Sequence, residues 1–213
     1  MALAVQQEVK RITAEEFFAL PDDGIQREVF DGIIHIKVES LDHTRPLGMA
    51  GALFTHQALV GEIFGQLRDF LKGKKCRVFT SPADIQLSID DESLTVVQPD
   101  IFVICDKSKI EGRVYKGAPT LAIEILSPTT AKNDKIIKMN KYRQAGVREY
   151  WIVDPMTQFV DVHLLFDDKY AVRSYSNEDT AVPVMVLEGC TINLTEVFAA
   201  VDELNDENEE SGE

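Results

Sequence analysis

Long apolar runs are the first thing this 213-residue chain lacks. No stretch approaches the roughly 18 apolar residues of a membrane-spanning helix. The opening MALAVQQEVKRI has too short an apolar run for a secretion signal. These absences lead us to expect a cytoplasmic protein with no membrane partner. Cysteine is scarce: Cys76, Cys105 and Cys190 are scattered, odd in number and without metal-ligand spacing. Neither a disulfide framework nor a zinc site is suggested, and buried thiols are expected. Bases are outnumbered, 22 against 36 acids, for a formal charge of −14. Seven of those acids, and no base, fall in DELNDENEESGE (202–213), which reads as a disordered acidic tail beyond a single domain over 1–201. The rest of the chain is still acidic, which counts against a broad basic face for DNA. The glycine-rich phosphate loops, the serine elbow and the H-E-x-x-H zinc helix are all missing. The acids at 90–92 lack the glycine and ligand spacing of a calcium loop.

What remains is an ordinary globular composition, 45% hydrophobic and 27% charged. Thr13 with Glu16 forms a capping-box pattern for a short helix reaching Leu20 before Pro21. REVF and IIHIK flank Asp31-Gly32, a pair suited to a two-residue hairpin turn. Apolar residues at three- and four-residue steps from Leu59 to Leu71 predict an amphipathic helix over 54–72, closed by Gly73. CRVFT, ADIQLSI and TVVQPDIFVIC read as strands, and KSKIEGRVYKGAP as a loop. TLAIEIL is another strand, 134–145 a second helix ending at Gly146, and VREYWIVDP a further strand. FVDVHLLF and YAVRSYS predict a hairpin, and VPVMVLEG one more strand before LTEVFAAV. Trp151 and Tyr150 read as core aromatics. His35, His43, His56 and His163 show no helical metal spacing and read as structural or exposed.

The chemistry-bearing residues are carboxylates. Glu124 sits amid the apolar neighbours of LAIEILSP, where a lone buried acid costs several kcal/mol unless something pairs with it. It is either a site residue or the structural partner of an arginine. Asp100 follows Pro99 in the preceding strand run, as a turn residue or as a ligand. Adjacent strands would bring the two acids together, and two such oxygen donors suit a hard cation such as Mg²⁺. On DKIIKMNKYRQAG, Ile136, Met139 and Arg143 form one stripe and Lys138, Lys141, Tyr142 and Ala145 an adjoining one. A lysine bordering the core could orient a metal-bound water or stabilise phosphate charge. Asp, Glu and Lys together fit metal-assisted phosphodiester hydrolysis, although each lysine alone also reads as a solvated helix residue.

REVFDG, the His56 that opens the long helix, QPDIFVI, EILSPTTAKND, the KMNKY helix and GVREYWIVDP together resemble the Uma family of restriction-endonuclease type, within the PD-(D/E)XK nuclease superfamily. The resemblance implies an α/β, restriction-endonuclease-like fold: a mixed central sheet flanked by helices, with additional N- and C-terminal strands. Its core elements fall at 54–72, 83–104, 120–126, 134–145 and 149–154. It implies a Mg²⁺- or Mn²⁺-dependent endonuclease acting on DNA, with a homodimer as a possible assembly. Pro99-Asp100 matches the first half-motif and Glu124 the second, the metal being held by Asp100, Glu124 and the Ile125 carbonyl. Leu126 stands where the superfamily places lysine, and the family pattern moves that role to Lys138. Glu28, His56 and Asp134 match accessory positions. The alternatives are a catalytically inactive binding or dimeric interaction protein that keeps the fold, and action on RNA or a small nucleotide.

Overall fold

The computed structural model describes residues 10–36, 54–88, 93–127 and 133–210, for 133–134 and 205–210 the backbone alone. His43 and the acidic run at 90–92 lie outside the described residues.

Thr13 caps α1 (Ala14–Phe18) as its sequence predicts: the Thr13 hydroxyl accepts the Glu16 N–H, and the Glu16 carboxylate accepts the Thr13 N–H. β1 (Arg27–Phe30) and β2 (Ile33–Ile36) join through Asp31 and Gly32, both at positive φ (51° and 75°), the geometry of a type I′ turn. The long helix α2 spans Phe54–Leu71, and Gly73 follows it at φ 77°.

Next come β3 (Arg77–Thr80), β4 (Asp84–Gln86), β5 (Val96–Val97), β6 (Ile101–Ile104), β7 (Ile110–Glu111), β8 (Val114–Lys116) and β9 (Leu121–Ile125). A π-helical turn (Asn133–Lys138) runs straight into α3 (Met139–Ala145). The chain closes with β10 (Glu149–Asp154), β11 (Phe159–Phe166), β12 (Lys169–Ser176), the short pair β13 (Val182–Pro183) and β14 (Thr191–Ile192), and α4 (Leu194–Glu210).

Two six-stranded sheets result, ordered β2-β1-β5-β4-β8-β7 and β12-β11-β10-β9-β6-β3. In the second, β9 runs parallel to β10 and antiparallel to β6. Leu59, Ile63, Leu67 and Leu71 of α2 pack on Ile123 and Ile125 of β9 together with Val197, Phe198 and Val201 of α4. A second core contains Phe30, Ile85 and Val97 of the first sheet with Ala122, Ile152 and Tyr142, so it joins the two sheets and α3. Residues alternate along a strand. Glu124, between Ile123 and Ile125, therefore faces this second core, and Glu28, two residues before Phe30, approaches it from the first sheet.

Several expectations need correction. The run TVVQPDIFVIC is two strands in different sheets, because Pro99 has no N–H for a ladder and the chain turns at Gln98-Pro99-Asp100. The charged segment expected as a loop forms β7 and β8. VPVMVLEG gives only two strand residues, then a turn in which the Leu187 N–H bonds to the Val184 carbonyl. Cys76 and Cys105 form a disulfide: Arg77 pairs with Ile104 across β3 and β6, and one further step sets the two cysteines opposite each other. Their sequence separation of 29 gave no hint of this, and only Cys190 is a buried thiol. Residues 202–210, expected as an unstructured tail, continue α4. Val197, Phe198 and Val201 anchor that helix on α2, and the glutamates that follow are good helix formers.

Candidate active site

The register Ile101↔Ile123 puts Asp100, just before β6, opposite Glu124 near the end of β9. Both acids thus lie at one end of the second sheet, as their placement in adjacent strands predicts. Both are almost fully enclosed, at 3% and 1% exposure, and each is held by neighbours. Asp100 Oδ2 accepts the Ile125 N–H at 2.8 Å and lies 3.3 Å from His56 Nε2, which the first turn of α2 delivers. The Leu126 N–H bonds to the Val153 carbonyl on the β10 side. Strand alternation then turns the N–H and C=O of Ile125 toward β6 and Asp100.

Lys138 supplies the positive charge. It is 1% exposed, with Nζ 2.9 Å from Glu28 Oε1 and 3.0 Å from Glu124 Oε1. A buried ammonium is tolerated only when paired, and here carboxylates from two sheets face it. Glu28 also accepts the Gln98 backbone N–H at 2.9 Å. The partner of Glu124 is thus a lysine, together with a tyrosine, in place of the arginine considered as a structural alternative. Lys141 goes elsewhere, to Asp31 in the β1–β2 turn. Leu126, at the position where the superfamily pattern has lysine, is buried in the second core. Asp134 falls in the first turn of the π-helix, with its side chain outside the described residues.

Tyr142 is a site neighbour that the sequence reading left as one member of a helix stripe. Its O–H donates to Glu124 Oε1 at 2.8 Å. Burial, and secondarily the Glu124 charge, hold the phenol well above its ordinary pKa, so it stays a donor. The available signal was its four-residue spacing from Lys138, which stacks the two on one helix face. Ile136, two residues before Lys138 and so on the opposite side of the helix, is 53% exposed, while Lys138 and Tyr142 are buried.

Two carboxylates and a backbone carbonyl at this sheet end are oxygen donors, the type that a hard divalent ion takes. The site gathers, among the described residues, three buried carboxylates, Glu28, Asp100 and Glu124, beside the buried ammonium of Lys138. Among the described residues no group of three His, Cys, Asp or Glu side chains could hold a metal ion.

The family model described as "Putative restriction endonuclease" (Uma2) matches residues 14–195. The chain belongs to the Uma2 family. It is 24% identical over 156 residues to the uncharacterized protein slr1290 of Synechocystis sp., covering 72% of this chain and 74% of that protein. Its structure resembles the crystal structure of an Anabaena variabilis protein described as a "putative nuclease belonging to DUF820", with a TM-score of 0.68 and 21% identity. That likeness covers 89% of this chain and 99% of the other. The fold of this Uma2 chain is restriction-endonuclease-like, and its family supports a nuclease-like function. No helix among its described residues is long and apolar enough to cross a membrane.

Proposed function

We propose that this Uma2 protein is a Mg²⁺- or Mn²⁺-dependent endonuclease that hydrolyses phosphodiester bonds in DNA. The observation that carries the reading is the enclosed Lys138 ammonium, within 3.0 Å of two buried carboxylates and beside the sheet end that brings Asp100 opposite Glu124. Such a cluster is costly for folding, and removing one partner of a buried pair is more costly still. Costly buried charge of this kind is found where chemistry needs it.

In this reading Asp100, Glu124 and the Ile125 carbonyl hold the ion. When bound, the metal lowers the pKa of a coordinated water and draws charge from the phosphate. Asp100 keeps a fixed orientation because the Ile125 N–H and His56 Nε2 both meet Oδ2. Lys138 orients the attacking water and donates to a phosphate oxygen as negative charge builds there. Glu28, pinned by the Gln98 N–H, holds that ammonium in place. His56 and Glu28 act on Asp100 and Lys138 and are positioning residues.

The second reading is a binding or dimeric interaction protein that keeps the fold without cleavage. The net charge of −14 favours it, because phosphate backbones are repelled at low salt. Purified protein incubated with plasmid, single-stranded DNA and RNA under Mg²⁺, Mn²⁺ and chelator separates the readings. We expect metal-dependent nicking of DNA by wild type and none by Asp100→Asn. Equal products from the two proteins would point to a contaminating nuclease and leave the binding reading in place.

A further inference from the structure

Tyr142 is a buried polar side chain at the site to which the mechanism above gives no task. It shares a single oxygen with Lys138: Glu124 Oε1 accepts the phenol O–H at 2.8 Å and lies 3.0 Å from the ammonium. Lys138 and Tyr142 stand four residues apart across the junction of the π-turn and α3, so one helical segment delivers both donors. The ring is fixed by tilted packing against Tyr150, with centroids 4.9 Å apart. It has no exposed surface.

An ammonium that both anchors Glu124 and serves the substrate faces a conflict. If Lys138 alone set the rotamer of Glu124, each turn of the ammonium toward a phosphate would release the carboxylate. Glu28 escapes the conflict because the Gln98 backbone N–H also holds it. Tyr142 is the corresponding anchor on the other side of the lysine. We propose that Tyr142 is a positioning residue that holds the Glu124 carboxylate in its ion-binding orientation independently of Lys138, so that the ammonium can turn toward water and phosphate without releasing it. This rests on the metal-dependent reading above and adds to it a division of labour between two donors on one oxygen. Hydrogen-bond partners of metal-ligating carboxylates act in this way generally, and their loss weakens metal binding about 10–100-fold.

The test is Mn²⁺ titration calorimetry on Tyr142→Phe, which keeps the ring contact with Tyr150 and removes one oxygen. The expected result is Mn²⁺ affinity lowered about 10-fold or more, with the melting temperature of the metal-free protein within a few degrees of wild type. The Mn²⁺ concentration for half-maximal cleavage should rise by a similar factor, while the rate at saturating Mn²⁺ falls less. Tyr170→Phe is the control: this tyrosine belongs to the same aromatic group but donates to the Val147 carbonyl, and its loss should leave Mn²⁺ affinity unchanged. Wild-type affinity in Tyr142→Phe, alongside lost binding in Glu124→Ala, would overturn the role of Tyr142 alone. A wild-type protein that binds no Mn²⁺ would overturn the metal reading and this inference with it.

Discussion

Lys138 and Lys141 lie three positions apart on one helical segment and have opposite fates, which makes them a matched pair for experiment. Lys138→Met keeps most of the aliphatic stem and removes the charge between Glu28 and Glu124. Two buried carboxylates then lose their cation, so the metal-free variant should be destabilised by about 3 kcal/mol, and Mn²⁺ should raise its melting temperature by more than it raises that of wild type. DNA cleavage should fall about 100-fold or more. Lys141→Met loses only the partly exposed pair with Asp31, so stability should change by about 1 kcal/mol or less, with cleavage at the wild-type rate. Activity retained in Lys138→Met and lost in Lys141→Met would reverse the assignment. A second test concerns Glu149, which is fully enclosed and accepts the Trp151 indole N–H and the Val186 N–H. Burial raises its pKa above 4.5. The folded state therefore holds this proton more tightly than the unfolded one, and the stability it contributes is present below about pH 4.5 and lost as pH rises through the folded pKa. Urea midpoints should show the penalty of Glu149→Gln largest near pH 4 and shrinking toward pH 7; a penalty that grows with pH would contradict this. Of the site itself, Asp100 and Glu124 were legible as acids in neighbouring apolar strands. Which lysine faces inward was not legible from periodicity alone, since Lys138 and Lys141 share one helix stripe; the family pattern is what singled out Lys138.

Elements with strong local signals stand where the sequence places them. The Thr13 cap, the Asp31-Gly32 turn, α2 with Gly73, and the β11–β12 hairpin each rest on a short-range rule, and each holds. Elements decided by distant partners were not legible. β7 and β8 are two- and three-residue strands that exist because β4 offers an edge to pair with. The split between β5 and β6 depends on which sheet each half joins. The Cys76–Cys105 link belongs to the same class, since it follows from the register of β3 on β6. It ties the edge strand β3 to β6, which begins one residue after Asp100. Closing a loop of this size restricts the unfolded chain by an amount worth about 2–4 kcal/mol. Adding a thiol reductant to oxidised protein should lower the urea midpoint by a corresponding amount, and the same treatment of the double variant Cys76→Ser/Cys105→Ser should change nothing. Identical midpoints for oxidised and reduced wild type would show that the bond contributes no stability.

At the scale of the whole molecule, the direction of α4 matters most. Its start is fixed to the C-terminal half of α2, where the Asn193 N–H donates to the Gln66 side chain. Nine residues after Asn193, Asp202 accepts from Gln158 in the turn after β10. β10 runs parallel to β9, so that turn lies at the same end of the sheet as Glu124 and Ile125. The acidic continuation of α4 therefore extends from the end of the molecule that carries the candidate site. Deleting residues 205–213 removes five acids and no base. It should leave the melting temperature nearly unchanged and tighten DNA binding at low salt, with the difference fading as salt screens the charge. Unchanged binding at low salt would show that the acids do not face the nucleic acid. The account as a whole depends on Asp100 and Glu124 sharing one divalent ion. Calorimetric titration of Mn²⁺ into wild type, Asp100→Ala and Glu124→Ala tests that most directly. The prediction is one site per chain in wild type and a sharp loss of affinity in each variant; Mn²⁺ bound equally well by all three proteins would contradict it.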